Sequence, residues 1–162
     1  MVNPFRAPIK RTRHGFVVRL GDAETGLVLR MLGELRELLT SDEPSAIELT
    51  KRLFPVAVPD DEEMEAEYQR LMRDELVQSQ VASITAVEEL LATGDTTVDE
   101  AGLTAFMRSI NAVRLVLGTM LDVSDDPDTD EVRVTLRDSP EHHLYAYLSW
   151  LLEHTVQALT GR

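Results

Sequence analysis

The chain of 162 residues contains no cysteine. Disulfides, zinc–thiolate sites and cysteine nucleophiles are therefore excluded together, and any metal site would have to be built from His, Asp and Glu. Lysine is almost as scarce: Lys10 and Lys51 are the only two, and the other basic residues are arginines, a bias typical of GC-rich genomes. Long apolar runs are missing as well. Stretches such as Leu115-Val116-Leu117 are far below the ~20 apolar residues that a membrane span needs. Met1 to Arg13 carries basic residues with no apolar run behind them, so a secretory signal is not expected. The expectation is a cytoplasmic chain without a membrane partner.

What is present in excess is acid. Net charge is −13, with 29 acidic side chains against 16 basic ones. The balance is uneven: residues 1–19 hold Arg6, Lys10, Arg11, Arg13 and Arg19 and no acid, a charge of +5, so that the rest of the chain carries −18. Such a body repels duplex nucleic acid, and tight binding to it is not expected. The basic arm reads first as the edge of a hairpin that pairs with the protein's own acids, and second as a small phosphate-binding arm.

At 43% hydrophobic residues the chain fits one globular domain of ordinary size. The expected fold is mainly α: a bundle of about five helices with a minor N-terminal β-hairpin or small sheet. Residues 1–21 form the basic arm or hairpin packed on the body, and residues 22–162 a single helical domain. Pro4 and Pro8 bar a helix at the start. Gly15 to Leu20 reads as a strand, with a turn at His14-Gly15. A helix follows from about Ala23 to Leu39, capped by Asp22, with Leu27, Met31, Leu32, Leu35, Leu38 and Leu39 as its apolar stripe. A short helix spans about Ser45 to Phe54 and stops at Pro55, and Val56 to Pro59 connects it onward. A long helix runs from Asp60 to about Ala92, ended by Gly94. Its early stripe (Met64, Tyr68, Leu71, Met72) and late stripe (Leu76, Ile84, Val87, Leu90, Leu91) do not line up at 3.6 residues per turn. The helix must bend, break near Gln78 to Ser83, or change packing partner there. Thr97-Val98-Asp99-Glu100 reads as a capping box for the next helix, whose inward face is Leu103, Phe106, Met107, Ile110, Val113, Leu117 and Leu121. Asp122 to Glu131 reads as an acidic loop and Val132 to Leu136 as a short strand. Ser139-Pro140 opens the last helix, with Leu144, Leu148, Leu151, Leu152, Val156 and Leu159 inward.

No constellation carries chemistry. Asp126, Asp128 and Asp130 alternate like the start of a calcium loop, but the sixth position is Glu131 and the twelfth Arg137, where glycine and glutamate are required. His143 and His154 share a helical face roughly 16 Å apart, too far for one ion; His143 is followed by Ala146 and Tyr147 at spacing three and four, and His142 and Glu141 could join a site only with ligands from elsewhere. No phosphate loop and no nucleophile elbow occur. No catalytic residue, metal site or cofactor is expected. One residue is out of place: Arg114 follows Ile110 by four and falls on the apolar face between Val113 and Leu117. A buried guanidinium needs a partner. The structural expectation is an ion pair with Glu67 first or Asp74 second, with Asn111 beside it. The functional expectation is an anionic-ligand site of Arg114, Asn111 and Glu67.

Three stretches bear on relationship: Arg52-Leu53-Phe54-Pro55, Asn111-Ala112-Val113-Arg114-Leu115-Val116-Leu117-Gly118, and Tyr145-Ala146-Tyr147-Leu148-Ser149-Trp150-Leu151, with Glu67-Tyr68 and Arg70-Leu71 between. Together they resemble the actinobacterial domain-of-unknown-function family 2017, from about Leu27 to Leu159. The chain departs from that pattern at Ala112, Met120 and Leu152, where an acid, arginine and glutamine are common. The resemblance implies a small cytoplasmic helical protein with no established activity. Its genes commonly neighbour that of ClpS, the adaptor of the Clp protease, and some members are labelled transcriptional regulators. Three functional expectations result. The first is a non-enzymatic protein-interaction or regulatory module, with the Clp system as partner and self-association compatible. The second is a transcriptional regulator using the basic arm. The third is an anionic-ligand binder or enzyme around Arg114.

Overall fold

The computed structural model describes residues 7–93, 97–124 and 139–161. Two strands come first, β1 (Ile9–Thr12) and β2 (Gly15–Val18), followed by α1 (Asp22–Thr40), α2 (Pro44–Leu49), a 3-10 turn (Lys51–Leu53) and α3 (Glu62–Ala92). Strand β3 (Thr97–Val98), α4 (Glu100–Ser124) and α5 (Pro140–Thr160) complete the described chain. The fold is mainly helical, with five α-helices among the described residues and a small antiparallel sheet of order β1-β2-β3. The loop aspartates Asp126, Asp128 and Asp130, the helix stop at Gly94 and the strand at Val132 to Leu136 lie outside the described residues.

The hairpin pairs Ile9 with Val18 and Thr12 with Gly15. Its alternation puts Ile9, Phe16 and Val18 on one buried face. Gly15 is required at the turn: its φ is +142°, and a Cβ there would stand 2.5 Å from the Val98 carbonyl oxygen. That close approach exists because Val98 pairs with Phe16 in the third strand. The capping box read at Thr97 is displaced for the same reason. Thr97 and Val98 are extended and spent on the sheet, and Asp99 caps α4 instead: its Oδ1 accepts from Gly102 N at 2.7 Å, and its carbonyl accepts from Leu103 N. Asp22 is likewise not a cap. Gly21 holds that position, and Glu24 reaches back to accept from Gly21 N at 3.1 Å.

The second helix is shorter than its sequence pattern, because Thr50 donates its hydroxyl to the Ala46 carbonyl and the chain tightens into the 3-10 turn before Pro55. Pro44 sits inside the first turn of α2 rather than before it. Helix α3 is continuous over 31 residues, capped by Asp61 on Met64 N. Glu65 ties the preceding connector to it by accepting from Ala57 N and Val58 N, at 3.0 and 2.7 Å. The mismatch of its two stripes is resolved by a change of packing. Ser83, Ile84 and Val87 are buried, while Met64 and Leu71 of the first half stay exposed.

Helix α4 is the centre of the molecule. It touches α1, α2, α3, α5, the 3-10 turn, β2 and β3, and Leu103, Phe106 and Ile110 are inaccessible to solvent. Each such side chain contributes about 1.5–3 kcal/mol of burial. The helix continues through Asp122, which sequence reading assigned to the loop. The inward face of α5 is as expected except at one position: Leu144, Leu152 and Leu159 pack partly buried against the core. Leu148, Leu151 and Thr155 are buried, whereas Val156 is 40% exposed. No helix among the described residues is long and apolar enough to cross a membrane.

Candidate functional site

Spacing along α4 brings Asn111, Arg114 and Gly118 onto one stripe, at i, i+3 and i+7. Gly118 is the point of closest approach. A Cβ there would lie 3.2 Å from Arg52 Nη1 and 3.3 Å from Tyr145 Cε2, so the small residue lets the 3-10 turn and α5 meet α4. Arg52 forms an ion pair with Asp122. Arg114, one turn earlier, donates from Nη1 to Tyr145 Oη at 2.9 Å and makes a longer 3.5 Å bond from Nη2 to Asn111 Oδ1. Its guanidinium also lies 5.4 Å from the centroid of the Tyr145 ring. Its Nε is buried without a partner.

The structure therefore brings Arg114 and Asn111 together and leaves Glu67 and Asp74 apart from them. The expected ion pair is not formed, for a reason of register. Arg108 Nη2 donates to Ser79 Oγ at 3.1 Å, and a Cβ on Gly102 would meet Leu90, so α3 and α4 run antiparallel. Extending that register puts Arg114 level with residues 73–78 of α3, and Glu67 about 9 Å or more further along. Glu67 pairs with Arg70 on its own helix, Asp74 is exposed, and Arg114 turns toward α5 instead.

Two concavities flank Arg114. The larger, about 860 Å³, is an open groove along α5, lined by Arg114, Ser149, Leu152, Glu153, Val156 and Gln157 among others. Trp150, outside that lining, is 39% exposed, with the His154 ring edge-on at 4.9 Å. The smaller, about 230 Å³, lies where the 3-10 turn covers α3 and α4, and Arg52, Gln80, Arg108 and Asn111 line it with Leu53, Ala112 and Leu115. Tyr147 faces the interior, and its hydroxyl is buried without a partner. Burial, and secondarily the charge of Glu24, pushes its phenol up to about 12.

The histidines do not assemble. His142 sits at the start of α5 with Nδ1 3.0 Å from the capping Ser139 Oγ, His143 is exposed, and His154 lies against Trp150. Among the described residues no three His, Asp or Glu side chains come together as a set that could hold a metal ion. Arg11 of the basic arm lies over Phe16 and close to Gly161 at the end of α5.

Sequence reasoning missed Tyr145, Arg52 and Gly118 as neighbours of Arg114. The i, i+3, i+7 spacing of Asn111, Arg114 and Gly118 was the available signal. All of these residues fall in the three stretches that carried the family resemblance. Comparison with curated proteins and with solved structures gives no match. A family model described as "Domain of unknown function (DUF2017)" matches residues 3–159, and the chain belongs to that family.

Proposed function

We propose that the protein is a non-enzymatic protein-interaction module of the cytoplasm that receives an apolar segment of a partner in the groove along α5. One observation carries this reading: α5 fully buries Leu148, Leu151 and Thr155 and packs Leu144, Leu152 and Leu159 partly against the core, but leaves Val156 outside it. Next to these residues lies an open groove of about 860 Å³ with Leu152 and Val156 in its lining. Val156 and Trp150 both remain substantially exposed. Leu152 and Val156, set among Arg114, Ser149, Glu153, Gln157 and Thr160, give the groove the mixture of apolar and polar groups found at contact sites. Its openness suits a chain segment better than an enclosed metabolite.

The family's gene neighbourhood makes delivery of substrates to the Clp protease the first process to examine. The test is parallel affinity enrichment of the wild-type protein and Val156→Glu from the native cell, with mass spectrometry. A partner retained by the wild type and lost by the variant supports the reading. Identical partner sets for both proteins would refute it.

A further inference from the structure

Two arginines meet where the 3-10 turn lies against α3 and α4, and two more stand nearby outside the cavity lining. Arg52 and Arg108 line the 230 Å³ cavity together with Gln80 and Asn111. Arg114 is joined to it through Asn111, and Arg73 lies 4.5 Å from the centroid of Phe54, at the end of the same turn. In a chain with 29 acidic side chains, acids should crowd such a place. Among the described residues Asp122 answers Arg52, while Arg73, Arg108 and Arg114 have no carboxylate partner. The partner of Arg108 is the Ser79 hydroxyl. Around this seam Arg73 Nη2, Arg114 Nε and Gln80 Oε1 are buried and unpartnered. Buried polar atoms are normally satisfied, and of these residues Gln80 lines the cavity, while Arg73 and Arg114 lie outside its lining.

We propose that this cavity is a binding site for a tetrahedral oxyanion of the phosphate class. Arg52 arrives from the 3-10 turn and Arg108 from α4, so one anion can be held between two guanidinium groups of different elements. Arg52 bonds Asp122 through Nη2, which leaves its other donors for the ligand. The Asn111 side chain offers its amide N–H at the lining. Gln80 presents Nε2 to the anion after a half-turn of its amide, or accepts from a protonated phosphate oxygen through Oε1. Leu53, Ala112 and Leu115 complete the lining and lower the local dielectric, which strengthens each of these bonds. Arg114 and Arg73 stand behind as uncompensated charge. The site is separate from the α5 groove, and its occupancy does not depend on a protein partner there.

The phosphoryl group can come as the free ion or as a monoester on a larger molecule, and one experiment distinguishes them. The full-length protein is titrated calorimetrically with inorganic phosphate, with phenyl phosphate and with acetate, all at constant ionic strength. Saturable one-to-one binding of a phosphate species is expected, with acetate giving none. Phenyl phosphate matching or exceeding inorganic phosphate assigns the site to a monoester; inorganic phosphate binding alone assigns it to the free ion. Arg108→Gln, an exposed position, and Gln80→Leu should each weaken binding about tenfold or more. Thermal melts in the absence of phosphate confirm that both variants are folded. Absence of saturable binding, equal response to acetate, or wild-type affinity in folded Arg108→Gln would overturn the assignment.

Discussion

Replacing Arg114 with methionine keeps most of the aliphatic stem and removes the charge. Three contributions decide the outcome. The charged bond to Tyr145 Oη at 2.9 Å belongs to a class with net values of about 1.5–3 kcal/mol, and partial exposure puts it at the low end. The approach to the Tyr145 ring, 5.4 Å from its centroid, adds about 0.5–1 kcal/mol. Against these stands the bare, buried Nε, a burden of about 1–3 kcal/mol that methionine abolishes. The contributions nearly cancel, so Arg114→Met should change the unfolding free energy by less than about 1 kcal/mol. Halving a buried ion pair would instead cost about 3–5 kcal/mol, because a charge would be stranded. Urea denaturation of wild type and variant, compared at equal slope, gives the difference directly. A loss of about 3 kcal/mol or more would refute the reasoning, since it would reveal an acid facing Arg114.

Two further outcomes follow from the same accounting. Arg36 donates to both carboxylate oxygens of Glu88 and also to Thr85; these bonds hold the Glu88 carboxyl below its ordinary range, with desolvation opposing. A depressed carboxylate stabilises above its unfolded pKa and loses that contribution as pH falls through the folded one. Glu88→Gln should therefore cost about 0.5–1 kcal/mol at neutral pH. The gap to wild type should close below about pH 4, and urea melts across the range would contradict this if the gap proved independent of pH. Tyr147→Phe should leave stability unchanged or raise it by up to about 1 kcal/mol, because it deletes a buried hydroxyl that has no partner. A thermal melt showing a clear loss would mean that the hydroxyl is bonded.

The helices were legible because apolar spacing and punctuation agree. The stripe of α1, the acidic opening of α3, expected at Asp60 and found with Asp61 as cap, and the Ser139-Pro140 start of α5 are local signals that the packing respects. The misplaced cap of α4 shows where local signals end. Thr97 and Glu100 have the right spacing, but β2 recruits Thr97 and Val98 from eighty residues away in sequence, and long-range pairing overrides local chemistry. The partner of Arg114 was misjudged for a related reason. Spacing gave the stripe on which Arg114 lies but not which neighbouring helix that stripe meets. The register of α3 on α4, and with it the isolation of Glu67, is a tertiary fact. Val156 had the spacing of a core residue, and nothing local distinguishes a buried stripe from one that borders a groove. That ambiguity is where the candidate interaction surface was hidden.

The groove along α5 is proposed to receive a protein segment. A photo-crosslinking amino acid placed at Val156, with one at the exposed Glu37 of α1 as control, tests it in the native cell. The prediction is a discrete covalent adduct at Val156 that is absent at Glu37. No adduct at Val156, or the same adducts at both positions, would contradict it.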